Sequence, residues 1–243
     1  MTQKPRVALF VTCLVDLHRP SVGFASIALL EQAGCTVEVP RAQTCCGQPA
    51  YNAGDRNPAR EIALGILTAF AAYDYVVVPS GSCAGMLAKH MPHLFDDDPN
   101  LRAAADALAA KTHELTSFLV DIMHFRPAPP ALPVIATYHD SCAGLRELGV
   151  KAQPRALLAT IPGLSLTEMA DPELCCGFGG TFSAKFPAIS TAMGDVKCAN
   201  AAETEADYIV SNDSSCLLQI QGLLDRQKKP IKTMHLAEVL AQQ

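Results

Sequence analysis

The strongest constraint on the fold is a cysteine pattern that occurs twice in the chain. Each copy contains one cysteine, then an adjacent cysteine pair followed by glycine, then a further cysteine. The eight cysteines of the two copies are Cys13, Cys45, Cys46 and Cys83, and then Cys142, Cys175, Cys176 and Cys216. Corresponding cysteines lie 129 to 133 residues apart. Such a regular offset over half the chain indicates an internal duplication.

Adjacent cysteines favour a shared metal site, because a disulfide between neighbours strains the ring that it closes. Gly47 and Gly177 follow the two pairs, and glycine permits the positive φ or close backbone approach that a many-liganded inorganic group requires. Four thiolates per copy suit a tetrahedral zinc ion or an iron–sulfur cluster. The chain lacks the Cys-x2-Cys hairpins of zinc ribbons, and zinc gains nothing from adjacent ligands. An iron–sulfur cluster is therefore favoured, with zinc as the alternative.

Strand-like and helix-like segments alternate in both copies. Val7 to Thr12 is a continuous apolar run, as in a strand buried on both faces of a parallel sheet. The alternation predicts an α/β fold of two duplicated Rossmann-like parallel-sheet halves related by pseudo-two-fold symmetry. Helices are expected around residues 100–124 and over Met234 to Leu240.

Four prolines between residues 127 and 133 predict a semi-rigid linker. The first cysteine-rich repeat is accordingly expected over residues 1–126 and the second over residues 134–243. In an open α/β sheet, ligands bind beyond the carboxyl ends of the strands. The loops at that edge would bring the four sulfurs of each repeat into one pocket.

Composition excludes several classes of function. The net charge is −5 and no cluster of Lys and Arg is present, so no nucleic-acid partner is expected. The longest apolar stretch, Ile62 to Ala72, is too short to cross a bilayer, so we do not expect an integral membrane protein. The first residues carry no cleavage site of a secretory signal, which predicts a cytoplasmic protein. In the cytoplasm, cysteines are reduced thiols or metal ligands.

Three further residues carry candidate or structural roles. His139 lies just before Cys142, where it could form a Cys-His nucleophile or donate a hydrogen bond to a thiolate or cluster sulfur. The hydrogen bond is favoured because nothing in the sequence builds an oxyanion hole. Cys35 and Cys198 fall outside the repeat and are expected to be buried structural residues.

The repeated pattern resembles the CCG, or cysteine-rich, domain found in heterodisulfide reductase and in the glycolate oxidase iron–sulfur subunit. Longer segments are similar to the lactate utilization protein A family, at residues 10–16, 45–52, 79–83 and 175–183. The resemblance implies a subunit of an oxidoreductase that oxidises L-lactate to pyruvate by iron–sulfur electron transfer. It also implies two partners, a ferredoxin-like iron–sulfur subunit and a third subunit.

The chain departs from the fuller CCG pattern at the end of each repeat. The fuller pattern ends in a Cys-x2-Cys motif, and the position of its second cysteine is occupied by Met86 in the first repeat and by Gln219 in the second. In the CCG subunit of heterodisulfide reductase, five cysteines per domain bind a non-cubane 4Fe–4S cluster that cleaves a disulfide. With four per repeat, a cubane, a smaller cluster and an empty site all stay open. The alternatives are a heterodisulfide-reductase-like thiol/disulfide oxidoreductase and a zinc-stabilised assembly scaffold.

Overall fold

Each half of the chain forms one parallel four-stranded sheet in the computed structural model, which describes residues 4–242. The strands of the first sheet are β1 (Arg6–Leu9), β2 (Thr36–Glu38), β3 (Tyr75–Val78) and β4 (Thr112–Glu114). Those of the second are β5 (Ile135–Tyr138), β6 (Ser165–Leu166), β7 (Tyr208–Ser211) and β8 (Lys232–His235). The strand orders, β2-β1-β3-β4 and β6-β5-β7-β8, are the same. The predicted duplication of a parallel-sheet unit is confirmed.

Helices connect the strands in both halves. The first half contains α1 (Cys13–His18), α2 (Pro20–Gln32), α3 (Gln48–Asn52), α4 (Arg56–Phe70), α5 (Gly81–Gly85), α6 (Pro99–Ala110) and α7 (Leu115–Ser117). The second contains α8 (Cys142–Leu148), α9 (Ala152–Leu158), α10 (Thr181–Lys185), α11 (Pro187–Ala202), α12 (Ser214–Arg226) and α13 (Leu236–Ala241). Helix α5 continues through a π-helical segment, Met86–His90, and a 3-10 segment, Met91–Phe95, and α7 continues through a π-helical segment, Phe118–Ile122.

Two short strands depart from the sequence-based prediction. The expected helical region 100–124 is interrupted by β4, and the expected helix from Met234 begins only at Leu236, after β8. Both strands are three or four residues long and include charged and polar side chains, so they lack the apolar run of a buried strand. They form because each pairs with an apolar neighbour, β4 with β3 and β8 with β7.

The two halves share one hydrophobic core. Helix α2 of the first half packs against α13 of the second, and α9 of the second half packs against α7 of the first. Helices α2 and α9 occupy corresponding positions in the two repeats, and so do α7 and α13. The two contacts are therefore related by the pseudo-two-fold axis. Buried side chains from both halves, including Leu30, Val77, Tyr138 and Leu240, form one continuous cluster. Burial of this apolar surface holds the halves together.

Ser80 and Asp213 lie opposite each other at the pseudo-two-fold axis. They form an isolated antiparallel bridge, and each caps the N-terminus of a cysteine-bearing helix, α5 for Ser80 and α12 for Asp213. The carboxylate of Asp213 accepts hydrogen bonds from the Ser82 backbone N–H at 2.8 Å and from Ser80 Oγ at 3.2 Å. It also accepts the Ser215 N–H at 3.0 Å. One buried carboxylate thus fixes α5 and α12 relative to each other.

Candidate metal centres

The cysteines reach the same edge of each sheet because each follows the carboxyl end of a strand. Cys13 and Cys142 are the first residues of α1 and α8, directly after β1 and β5. Cys83 lies within α5 after β3, and Cys216 lies within α12 after β7, whereas the sequence predicted Cys216 before its helix. The two cysteine pairs occupy the loops after β2 and β6. Three separate segments of the chain therefore contribute sulfur to each site.

The first cysteine set surrounds a small cavity. Cys13 Sγ lies 3.9 Å from Cys45 Sγ, and Cys46 Sγ lies 3.3 Å from Cys83 Sγ. All four side chains line a cavity of about 150 Å³. Both separations far exceed a sulfur–sulfur bond of about 2.05 Å, and all ten cysteines of the chain are free. The predicted convergence of sulfurs is therefore present in this half.

The second cysteine set repeats these pairings. The Cys175 side chain raises the pKa of the Cys142 thiol, and the Cys175 and Cys216 side chains raise the pKa of the Cys176 thiol, so these thiols lie beside one another. The sulfurs of Cys176 and Cys216 also lie within 4.8 Å of each other and of a ring nitrogen of His139. The second half thus brings its four predicted cysteines together and adds an imidazole.

The pKa shifts of the thiols have the same directions in the two sets. Hydrogen bonds from Cys13 and Cys46 lower the pKa of the Cys45 thiol, and bonds from its two neighbours lower the pKa of the Cys175 thiol. The same bonds raise the pKa of the donors Cys13 and Cys142. The first cysteine of each adjacent pair is therefore the one that ionises most readily, and thiolate is the form that binds metal.

Gly47 and Gly177 both have positive φ, of 86° and 87°. The Gly177 N–H donates to Cys175 Sγ at 3.4 Å. In the first loop, the backbone N–H of Gly47 helps to lower the pKa of the Cys45 thiol. Gly177 is also crowded, since a Cβ built there would lie 2.3 Å from the Ser190 carbonyl oxygen. At Gly47 the closest atom would be a side-chain carbon of Ile62 at 3.5 Å. Gly177 is thus needed both for its positive φ and because no Cβ fits there, whereas Gly47 is needed only for its positive φ.

The two positions that lack the fifth cysteine have different surroundings. Met86 is fully buried in the core of the first half. The Gln219 side chain donates to Ser190 Oγ at 3.0 Å, and Ser190 Oγ donates to the Gly177 carbonyl oxygen at 2.8 Å. Where the fuller pattern places a sulfur, the second half therefore has a hydrogen-bond chain that supports the cysteine-pair loop.

His139 lies at the end of β5 and is completely buried. Burial lowers the pKa of its imidazole to about 4, and the nearby Lys197 ammonium contributes to that lowering, so the ring is neutral at pH 7. Lys197 is itself buried and donates to the carbonyl oxygens of Asp171 and Pro172 at 2.7 and 3.1 Å. These carbonyls belong to the loop before Cys175, so a positive charge lies behind the second sulfur set.

Sequence reasoning missed the contribution of the second half to the first cavity. Phe178, Gly180 and Ser215 line that cavity together with the first cysteine set. Phe178 also packs against the core cluster that contains Cys176 and Cys216. Phe178 therefore contacts both the first cavity and the core around the second sulfur set. The sequence contains the residues but not their packing across the two halves.

The two remaining cysteines belong to neither set and are buried, as predicted. Cys35 lies in the core shared by the halves. Cys198 lies on α11, where its thiol contacts the Ile220 carbonyl oxygen at 3.9 Å and burial raises its pKa to about 11. No helix within residues 4–242 is long and apolar enough to cross a membrane.

The donor set fits an iron–sulfur cluster. Thiolates are soft ligands that bind zinc and iron–sulfur clusters. In the first half, the four sulfurs surround an open volume rather than a single point, which suits a group with several metal atoms. Cys13, Cys45, Cys46 and Cys83 would hold one such group, and Cys142, Cys175, Cys176 and Cys216 a second.

Comparison with known proteins shows a family relationship over nearly the whole chain. The model of the CCG cysteine-rich domain matches residues 7–88 and 136–221. Lactate utilization protein A of Geobacillus kaustophilus is 52% identical, with 97% of this chain and 98% of the relative covered. Lactate utilization protein A 1 of Bacillus cereus is 47% identical over the same shares.

One solved structure supports the fold. A hypothetical protein from Helicobacter pylori matches with a TM-score of 0.66 at 13% identity. The match covers 99% of this chain and 49% of that protein. At this identity the likeness concerns the α/β architecture alone.

Proposed function

The chain belongs to the lactate utilization protein A family of CCG cysteine-rich-domain proteins, and from this we propose that it is an iron–sulfur electron-transfer subunit of an L-lactate oxidising system. The product of that system would be pyruvate. The supporting observation is the convergence of four sulfurs at the carboxyl edge of each sheet. An iron–sulfur cluster supplies one-electron transfer when it is bound to such a set.

The residues of the chain are suited to carrying electrons between two sites. Cys46, Cys83, Cys176 and Cys216 are buried, which keeps that part of each set away from bulk water. The Asp213 hydrogen bonds fix the helices that carry Cys83 and Cys216, so the separation of the two sets stays constant. Phe178 lines the first cavity and packs against the core that contains Cys176 and Cys216.

We expect lactate to be oxidised together with partner subunits. The glycine-rich segment Gly177 to Gly180 lacks the spacing of a dinucleotide-binding loop, so a hydride-accepting cofactor would be bound by another subunit. The proposed partners are a ferredoxin-like iron–sulfur subunit and a third subunit. Both partners are proposed from the family relationship alone.

Metal analysis of protein purified without oxygen tests the proposal. We expect iron and acid-labile sulfide, with broad visible absorption that bleaches on reduction. The Cys46→Ser and Cys176→Ser variants should each lose about half of the iron, because each removes one ligand of one set. Cys198→Ala is the matched control, since Cys198 is buried outside both sets, and it should retain all of the iron.

Other outcomes would favour the alternatives. Stoichiometric zinc without visible absorption would contradict the electron-transfer proposal and favour a scaffold. Turnover of a small disulfide with a reduced dye would favour a thiol/disulfide oxidoreductase. Lactate-dependent bleaching in the presence of the partner subunits would support the proposed place in lactate oxidation.

A further inference from the structure

The imidazole of His139 is an unused ligand beside the second cysteine set. Its exposed fraction is 0%, and among residues 4–242 neither Nδ1 nor Nε2 has a hydrogen-bond partner. A ring nitrogen lies within 4.8 Å of the sulfurs of Cys176 and Cys216, which are themselves buried. A buried polar group without a partner is unfavourable, and coordination of a metal would supply the missing partner.

The first half has no equivalent nitrogen. The backbone N–H of His139 donates to the Val210 carbonyl oxygen at 2.9 Å, and that of Phe10 donates to the Val77 carbonyl oxygen at 2.9 Å. Val77 and Val210 are corresponding residues of β3 and β7, so Phe10 and His139 occupy the same place in the two repeats. The Phe10 ring packs against Phe70, with ring centroids 5.3 Å apart. A hydrocarbon ring therefore stands where the second half has a nitrogen donor.

As an extension of the proposed function, we infer that His139 is a nitrogen ligand of the second iron–sulfur centre. The first centre would then have cysteine ligands alone, and the second would have mixed sulfur and nitrogen ligands. Imidazole is a common ligand of iron. In clusters where imidazole takes the place of thiolate, the reduction potential is higher. The two centres would therefore differ in potential even though they derive from one repeat.

A second observation makes the potential difference larger. Lys197 is fully buried beside the second set, whereas the residue at the corresponding position of α4, Ile66, is apolar. A buried positive charge favours the extra electron of a reduced cluster. Electrons would therefore pass from the first centre to the second.

Pulsed electron paramagnetic resonance of reduced protein tests the inference directly. The full chain is reconstituted with iron and sulfide, with ¹⁵N placed only in its seven histidines. We expect the hyperfine coupling of a directly bonded nitrogen on one of the two centres. His139→Phe inserts the side chain that the first repeat uses and should abolish this coupling. It should also lower the potential of the second centre toward that of the first.

Matched variants assign the signal to one centre. The coupling should persist in Cys45→Ala/Cys46→Ala, where only the second set is complete, and should be lost in Cys175→Ala/Cys176→Ala. His93→Gln, at an exposed histidine, is the control and should leave the spectrum unchanged.

The possible failures are distinguishable. A weak coupling typical of a hydrogen bond, or none, in protein with full iron would overturn the ligand assignment and leave the proposed function standing. A reconstituted chain without iron in either set would overturn both. His139→Phe with unchanged coupling would also refute the inference, whatever its stability.

Discussion

Alanine at the two corresponding motif glycines should have unequal effects. Gly47→Ala and Gly177→Ala place an L side chain at φ of 86° and 87°, which costs about 1–2 kcal/mol. At Gly177 the new Cβ would also lie 2.3 Å from the Ser190 carbonyl oxygen. Relief of that overlap requires a backbone shift, at about 1–3 kcal/mol. The expected losses of unfolding free energy are about 1–2 kcal/mol for Gly47→Ala and about 2–5 kcal/mol for Gly177→Ala.

Urea unfolding followed by circular dichroism measures this difference. With a slope of about 3 kcal/mol per molar urea, the midpoint of Gly177→Ala should lie about 0.3–1 M below that of Gly47→Ala. Gly54→Ala is the control for the conformational cost alone, because φ is 81° and no atom lies within 4 Å of its Cβ among the described residues. Gly177→Ala should also lose iron from the second set, since the Gly177 N–H bonds Cys175.

Equal midpoints for the two motif variants would refute this reasoning. That result would mean that the loop and α11 separate without measurable cost, so that the close contact at Ser190 does not constrain the second set. A low midpoint for both variants but not for Gly54→Ala would instead indicate that the sulfur–glycine bonds, present in both loops, determine stability.

Three other perturbations test the framework. Burial raises the pKa of Glu114 from 4.5 to about 7. The protonated carboxyl therefore contributes its full stability below pH 4.5, and this contribution is lost as the pH rises through 7. In Glu114→Gln, the loss of unfolding free energy between pH 4.5 and 8 should be smaller by about 3 kcal/mol. Arg155→Leu leaves the buried carboxylate of Asp140 without its bidentate partner and should cost about 3 kcal/mol in urea unfolding, partly restored by adding Asp140→Asn. Gln219→Ala removes the donor to Ser190 and should lower unfolding free energy by about 1 kcal/mol.

The parts of the fold that the sequence predicts are those built from repetitive local signals. Apolar runs such as Tyr75–Val78 become central strands because both faces of the sheet are covered. The equal offset of the cysteines indicates the duplication. Strands β4 and β8 could not be predicted in this way, because their stability comes from pairing with a neighbour and not from their own composition.

The candidate site shows the same limit. The cysteine sets follow from strand order, because parallel strands bring distant loops to one edge. The sequence places His139 near Cys142, but the structure brings its ring to Cys176 and Cys216. The direction of that ring depends on the strand that carries it. The contribution of Phe178 to the opposite cavity depends on packing between halves, for which no local pattern exists.

The Ser80–Asp213 pair makes the two halves of the chain complementary to each other. Because these residues face each other across the pseudo-two-fold axis, a dimer of two identical first halves would place two serines there, and a dimer of two identical second halves would place two aspartates. Two buried carboxylates would repel each other, and two serines would offer only hydroxyl oxygens where the Asp213 carboxylate now accepts the Ser82 N–H. In the present chain each half is complementary to the other half at this position and not to a second copy of itself.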